Sequence, residues 1–94
     1  KLRYRKWRDR ALLYILHNGP QISNSLGANL TRADGRPLFH NLDSHSIANI
    51  LRRDNRFVKR GRVMGAHGSL VVLWAANENN IEVIKLKESI ENEK

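Results

Sequence analysis

Cysteine is absent from this chain of 94 residues. That excludes a disulfide framework and any thiolate zinc site, and leaves stability to packing. No apolar run approaches the roughly 20 residues that a membrane span requires. The basic N-terminus is not followed by the clean apolar core and small-residue cleavage site of a secretory signal. Aromatic residues are few, and the two tryptophans, Trp7 and Trp74, are expected in the core rather than stacked on single-stranded bases. Together these absences point to a protein that is not secreted, placed in the cytoplasm (nucleoid-associated) or the nucleus. The first residue is Lys1 rather than Met, as expected of a domain taken from a longer protein.

What is present is positive charge, unevenly placed. The net charge is +8. Residues 1–10 contain Lys1, Arg3, Arg5, Lys6, Arg8 and Arg10 against Asp9. A second block between Arg52 and Arg62 contains Arg52, Arg53, Arg56, Lys59, Arg60 and Arg62 against Asp54. From 77 to 94 acids outnumber bases, five to three. Isolated charge runs are often only solvated surface. Two concentrated cationic blocks instead raise the local potential and attract polyanions through counterion release. The length is that of one domain with one modest core, and the composition is that of a globular chain.

From Trp7 to His17, apolar residues recur at three- and four-residue spacing, which predicts a largely buried helix ended by Asn18-Gly19-Pro20. A shorter helix is expected from Ser23 to Leu30, although Gly27 is a poor helix former. Ala33-Asp34-Gly35-Arg36-Pro37 reads as a turn, and Pro37 to Leu42 as a short extended segment. Asp43 or Ser44 then caps a third helix with Ile47, Ile50 and Leu51 on one face. At 100° per residue, its opposite face carries His45, Asn49, Arg52 and Arg53, with Ala48 between them. A helix with one apolar side and such a polar set on the other suits insertion in the major groove of DNA. Phe57 to Val63 and Leu70 to Ala75 read as two strands of a ribbon around a glycine-bearing tip.

The stretch Ser46-Ile47-Ala48-Asn49-Ile50-Leu51-Arg52-Arg53-Asp54-Asn55-Arg56-Phe57-Val58-Lys59-Arg60-Gly61 resembles the recognition-helix-into-wing sequence of winged helix-turn-helix domains. Leu73-Trp74 is similar to the returning strand of such a wing. The resemblance covers about Trp7 to Ala76 and departs from the family in the long connection from Leu30 to Asp43. It implies an α+β fold of three helices and a two-stranded β-ribbon wing, occupying 7–76. A basic N-terminal arm at 1–10 and an additional C-terminal helix at 77–94 flank it. The implied function is binding of double-stranded DNA, as a transcription regulator or as the DNA-binding domain of a larger protein. The recognition helix, about 44–54, would present Ser44, His45, Asn49, Arg52 and Arg53 to the major groove. The wing, about 57–75, with its approach would place Arg56, Lys59, Arg60, Arg62 and His67 on the backbone. Arg3, Arg5, Lys6 and Arg8 would add a flexible cationic arm.

In the C-terminal helix, Asn79 and Glu82 form a capping-box-like pair. Val83, Leu86 and Ile90 are spaced as the seam of a short coiled coil, which would give a homodimer or a protein partner. The alternative is that Ile81 and Ile84 dock the helix on its own domain; a strand over Ile81 to Leu86 is a lesser one. A protein-interaction module and an RNA-binding domain are the alternatives to DNA binding. The enzymatic alternative is His40-x-x-Asp43-x-His45, three metal-ligating residue types in six positions. Helix capping explains Asp43, and no dense carboxylate set accompanies the three, so neither a metal, a cofactor nor catalysis is expected. His17 and His67 read as helix-end and wing-tip residues. Ser23, Ser25 and Ser44 read as caps. Gly65-x-x-Gly68 lacks the setting of a phosphate-binding loop.

Overall fold

Trp7, Ala11, Leu12 and Ile15 recur at helical spacing on one face, and all four are buried in the computed structural model, which describes residues 4–30, 44–65 and 68–93. They form the inner side of α1 (Arg5–Asn18). The helix begins earlier than the periodicity of its large apolar residues suggests, so Arg5, Lys6 and Arg8 are helical rather than parts of a loose arm. The reason is that Arg8 belongs to the buried side, where it bonds Asp54 and ties down the first turn.

Beyond Pro20, a two-residue strand, β1 (Gln21–Ile22), precedes α2 (Ser23–Asn29). Two residues are too few to leave a periodic signal, so this strand is not legible in the sequence. Ser23 does not cap α2 through its side chain; Ile22 occupies the cap, and the Ser25 hydroxyl donates to Gln21 Oε1 at 2.7 Å. Gly27 has a packing role. A Cβ there would stand 3.1 Å from Ile47 Cδ1, so glycine gives up helix propensity and lets α2 approach α3 (Ser44–Arg52) closely. Leu26 and Leu30 join Ile47 and Leu51 in the core.

The ribbon consists of β2 (Phe57–Met64) and β3 (Leu70–Ala76), and the antiparallel sheet runs β1-β3-β2. Phe57, Val72, Trp74 and Ala76 pack with the helices. Lys59 pairs with Trp74, but Leu73 pairs with Gly61, so Arg60 is an extra residue in a β-bulge. Gly61 adopts φ 149°, a region that side chains rarely enter. Because faces alternate along a strand, one inserted residue exchanges them. Arg62, opposite Val72, and Met64, opposite Leu70, thereby share the face that packs on the helices nearer the ribbon's base.

The last helix, α4 (Ile81–Asn92), is capped by Asn80, not Asn79. Asn80 Oδ1 accepts from the Glu82 and Val83 amides at 2.9 and 3.4 Å, whereas the Asn79 amide donates to Asn77 Oδ1. Val83 is fully buried and therefore used wholly within the chain, and Leu86, partly buried, packs against the same core. Ile81 and Ile84 are exposed and do not dock the helix. No helix among the described residues is long and apolar enough to cross a membrane.

Candidate nucleic-acid interface

The apolar side of α3, Ile47 and Leu51, is fully buried, which turns His45 and Arg52 outwards; Arg53, just past the helix, is also exposed. Asn49 is half-buried, and its Oδ1 accepts a hydrogen bond from the Arg52 guanidinium. Asparagine reads adenine with both its amide donor and its carbonyl acceptor. Asn49 would have to exchange its Arg52 bond for that purpose. Ala48, between His45 and Arg52 on the helix, is partly buried and packs against the core. Ser44 opens the helix.

The turn between α3 and β2 contains an ion network that the charge count conceals. Asp54 is buried, and its Oδ2 accepts from Arg8 at 2.7 Å and from the Arg56 guanidinium at 2.9 Å. Asp54 Oδ1 accepts from the Arg56 backbone amide at 3.0 Å and from its Nε at 3.1 Å. Arg56 also donates to Asp9 at 2.8 Å. Burial pushes the Asp54 carboxyl up, but the side-chain and backbone hydrogen bonds of Arg56, the Arg8 hydrogen bond and the Arg56 charge outweigh it, and the net displacement is downwards. The same bonds hold the Arg56 guanidinium more firmly protonated than usual.

This network corrects two assignments. Arg8 is a buried strut between α1 and the α3–β2 turn, not part of a flexible arm on DNA. Arg56 is committed to carboxylates on both sides rather than extended towards phosphates. The sequence did hold a signal for this: Asp54 is the lone acid inside a run of six bases, where an unpaired carboxylate would have been the simplest to replace with a neutral residue.

The remaining cations of the second block behave otherwise. Lys59, Arg60 and Arg62 are exposed along β2, an edge strand with no neighbour on its outer side among the described residues. Arg5 and Lys6 are exposed at the start of α1. Arg5 and Arg53 line one open groove of about 910 Å³ together with the ion network, so the two basic blocks meet although they are far apart in the chain. A second groove, of about 240 Å³, runs between α3 and the sheet, with His45 and Ala48 on one side and Val71, Val72 and Trp74 on the other. Val72 is the cross-strand partner of Arg62. The outer end of α3 and the cationic ribbon thus flank a common recess.

Arg3 and His67 lie outside the described residues, as do His40, Asp43, the 33–37 turn and the 37–42 segment. Trp7 and Trp74 are buried in the core, as expected, and neither offers a platform for a base. His17 stands exposed in the last turn of α1. Sequence reasoning missed the exposed pairing of Met64 with Leu70, because Met64 reads as part of the tip and Leu70 as a strand residue. No family model, curated protein or solved structure matches the chain.

Proposed function

We propose that this protein binds double-stranded DNA as a winged helix-turn-helix domain, in a transcription regulator or as the DNA-binding part of a larger protein. The observation that carries the reading is the recess between α3 and the sheet, lined by exposed His45 on one side and on the other by Val72, the cross-strand partner of exposed Arg62. The order of three helices followed by a two-stranded ribbon supports it. In this reading α3 enters the major groove, with Arg52 and Arg53 available for guanine edges or phosphates. Lys59, Arg60 and Arg62 follow the neighbouring backbone, and Arg5 and Lys6 add phosphate contacts from the start of α1.

The test is an amide-shift titration of the whole chain with a mixed-sequence duplex at low salt. Shifts concentrated at His45–Arg53 and Lys59–Arg62, with α4 unchanged, are expected. Absence of shifts on both elements overturns the proposal. Competition with single-stranded DNA and with RNA should leave the duplex as the preferred ligand, and a preference for RNA would replace this reading with the RNA-binding one.

A further inference from the structure

The tip-side ends of β2 and β3 carry exposed apolar side chains. Met64 and Leu70 are 66% and 61% exposed and stand opposite each other across the two strands. Val63, the neighbour of Met64, is exposed as well. A contiguous exposed pair of this size differs from the single apolar residues that scatter over any surface. Its setting limits what can cover it. Arg62 lies two residues from Met64 on the same strand face, and exposed Lys59 and Arg60 follow towards the base of the ribbon. The patch is thus carried at the end of a cationic track on a chain of net charge +8, which complements a polyanion.

The bulge makes this arrangement possible. Were Arg60 paired in an unbulged register, Gly61 and Val63 would occupy the face that Arg62 and Met64 now share with Val72 and Trp74. With it, the apolar pair extends the same face that adjoins the α3 groove at Val72. A duplex held against α3 would meet this face. In general, exposed apolar side chains on DNA-bending proteins enter the minor groove and partly unstack a base step, while nearby cations hold the flanking phosphates.

Resting on the DNA-binding reading above, we infer that Met64 and Leu70 form an apolar wedge that enters the minor groove beside α3, opens a base step and bends the duplex. Arg62 anchors the adjoining phosphate. The bend is about 20–90°, the range that such insertions produce. Pyrimidine–purine steps, which unstack most readily, are the favoured point of entry.

The experiment uses the whole chain and a short duplex with a fluorophore at each end and 2-aminopurine at a central TA step. Binding should shorten the end-to-end distance and raise the 2-aminopurine signal. The Met64→Ala, Leu70→Ala double variant should remain folded and bind with an unchanged salt slope, but lose both optical changes. Binding by the parent chain with neither change overturns the wedge and leaves DNA binding standing, as does a double variant that bends the duplex as the parent does. If the parent chain binds no duplex at low salt, the DNA reading falls and the wedge with it. Anionic phospholipid vesicles form the control arm. Vesicle binding that requires Met64 and Leu70, with no bending of DNA, overturns the wedge in favour of a lipid interface.

Discussion

Two parts of one basic run, only a few residues apart, use their charge in opposite ways. At the α3–β2 turn, Arg56 is locked to Asp54 and Asp9, and Arg8 arrives from α1 to complete the set. On the ribbon, Lys59, Arg60 and Arg62 face solvent. The first group holds elements of the fold together, and the second is available to a partner. The difference shows that a cationic run must be divided by what each guanidinium touches before it is counted towards an interface. A single buried carboxylate, Asp54, draws the line between the two.

The strongest way to break this comparison is to remove that carboxylate. A buried ion pair adds little net stability over an apolar replacement, but deleting one partner leaves the other charged and unpaired. Asp54→Ala should therefore cost about 3–5 kcal/mol, read from the urea midpoint, whereas Arg60→Ala on the ribbon should stay within about 0.5 kcal/mol. An Asp54→Ala midpoint equal to that of Arg60→Ala would erase the distinction. The same carboxylate sets an acid limit. Its pKa is lowered in the folded protein, so its stabilisation is complete above the unfolded value near 3.9 and is lost as pH falls through the lower folded one. The gap in stability between the parent chain and Asp54→Ala should accordingly be constant from pH 7 to about 5 and close below about 4.

On the ribbon the expectation reverses. Lys59→Ala combined with Arg60→Ala should leave the urea midpoint in place and weaken duplex binding. Each phosphate contact accounts for about 0.9 of the slope of log affinity against log salt, so two lost contacts lower the slope by about 1.8 and the affinity by roughly 60-fold near 0.1 M salt. Arg8→Ala, by contrast, should reduce stability first. A stable Arg8→Ala chain with a reduced salt slope would return Arg8 to the interface.

These opposite expectations also mark how far the sequence could be read. The buried sides of α1 and α3 were legible because Trp7, Ala11 and Ile15, and Ile47, Ile50 and Leu51, repeat with the helical period. The ribbon was legible from its β-branched strands and glycines. Pairing across the chain was not. Arg8 and Asp54 are 46 residues apart, and no local period connects them, so the sequence alone groups Arg8 with its basic neighbours. The seam of α4 illustrates a second limit. The spacing of Val83, Leu86 and Ile90 specifies an apolar face but not whether that face meets another chain or its own domain; here Val83 is buried within the domain. The bulge at Arg60 was also hidden, because the shift of face beyond it depends on register with β3.

The comparison is sharpest within Arg56 itself, which meets three carboxylates in graded settings. The side chain of Asp54 is 5% exposed at 2.9 Å, that of Asp9 48% exposed at 2.8 Å, and that of Glu82 73% exposed at 3.8 Å. If distance alone governed the coupling, Asp9 and Asp54 would be equal. Solvent screening instead weakens the more exposed pairs. Double-mutant cycles of Arg56→Ala with each acid replaced by its amide should give the largest coupling for Asp54 and a smaller one for Asp9. Glu82→Gln should give the least, below about 0.5 kcal/mol as is usual for exposed pairs, and 0.5 M salt should remove most of it. A Glu82 coupling equal to that of Asp54 would mean that the network's strength lies at its solvent edge, and the division between a structural turn and a free cationic ribbon would lose its physical basis.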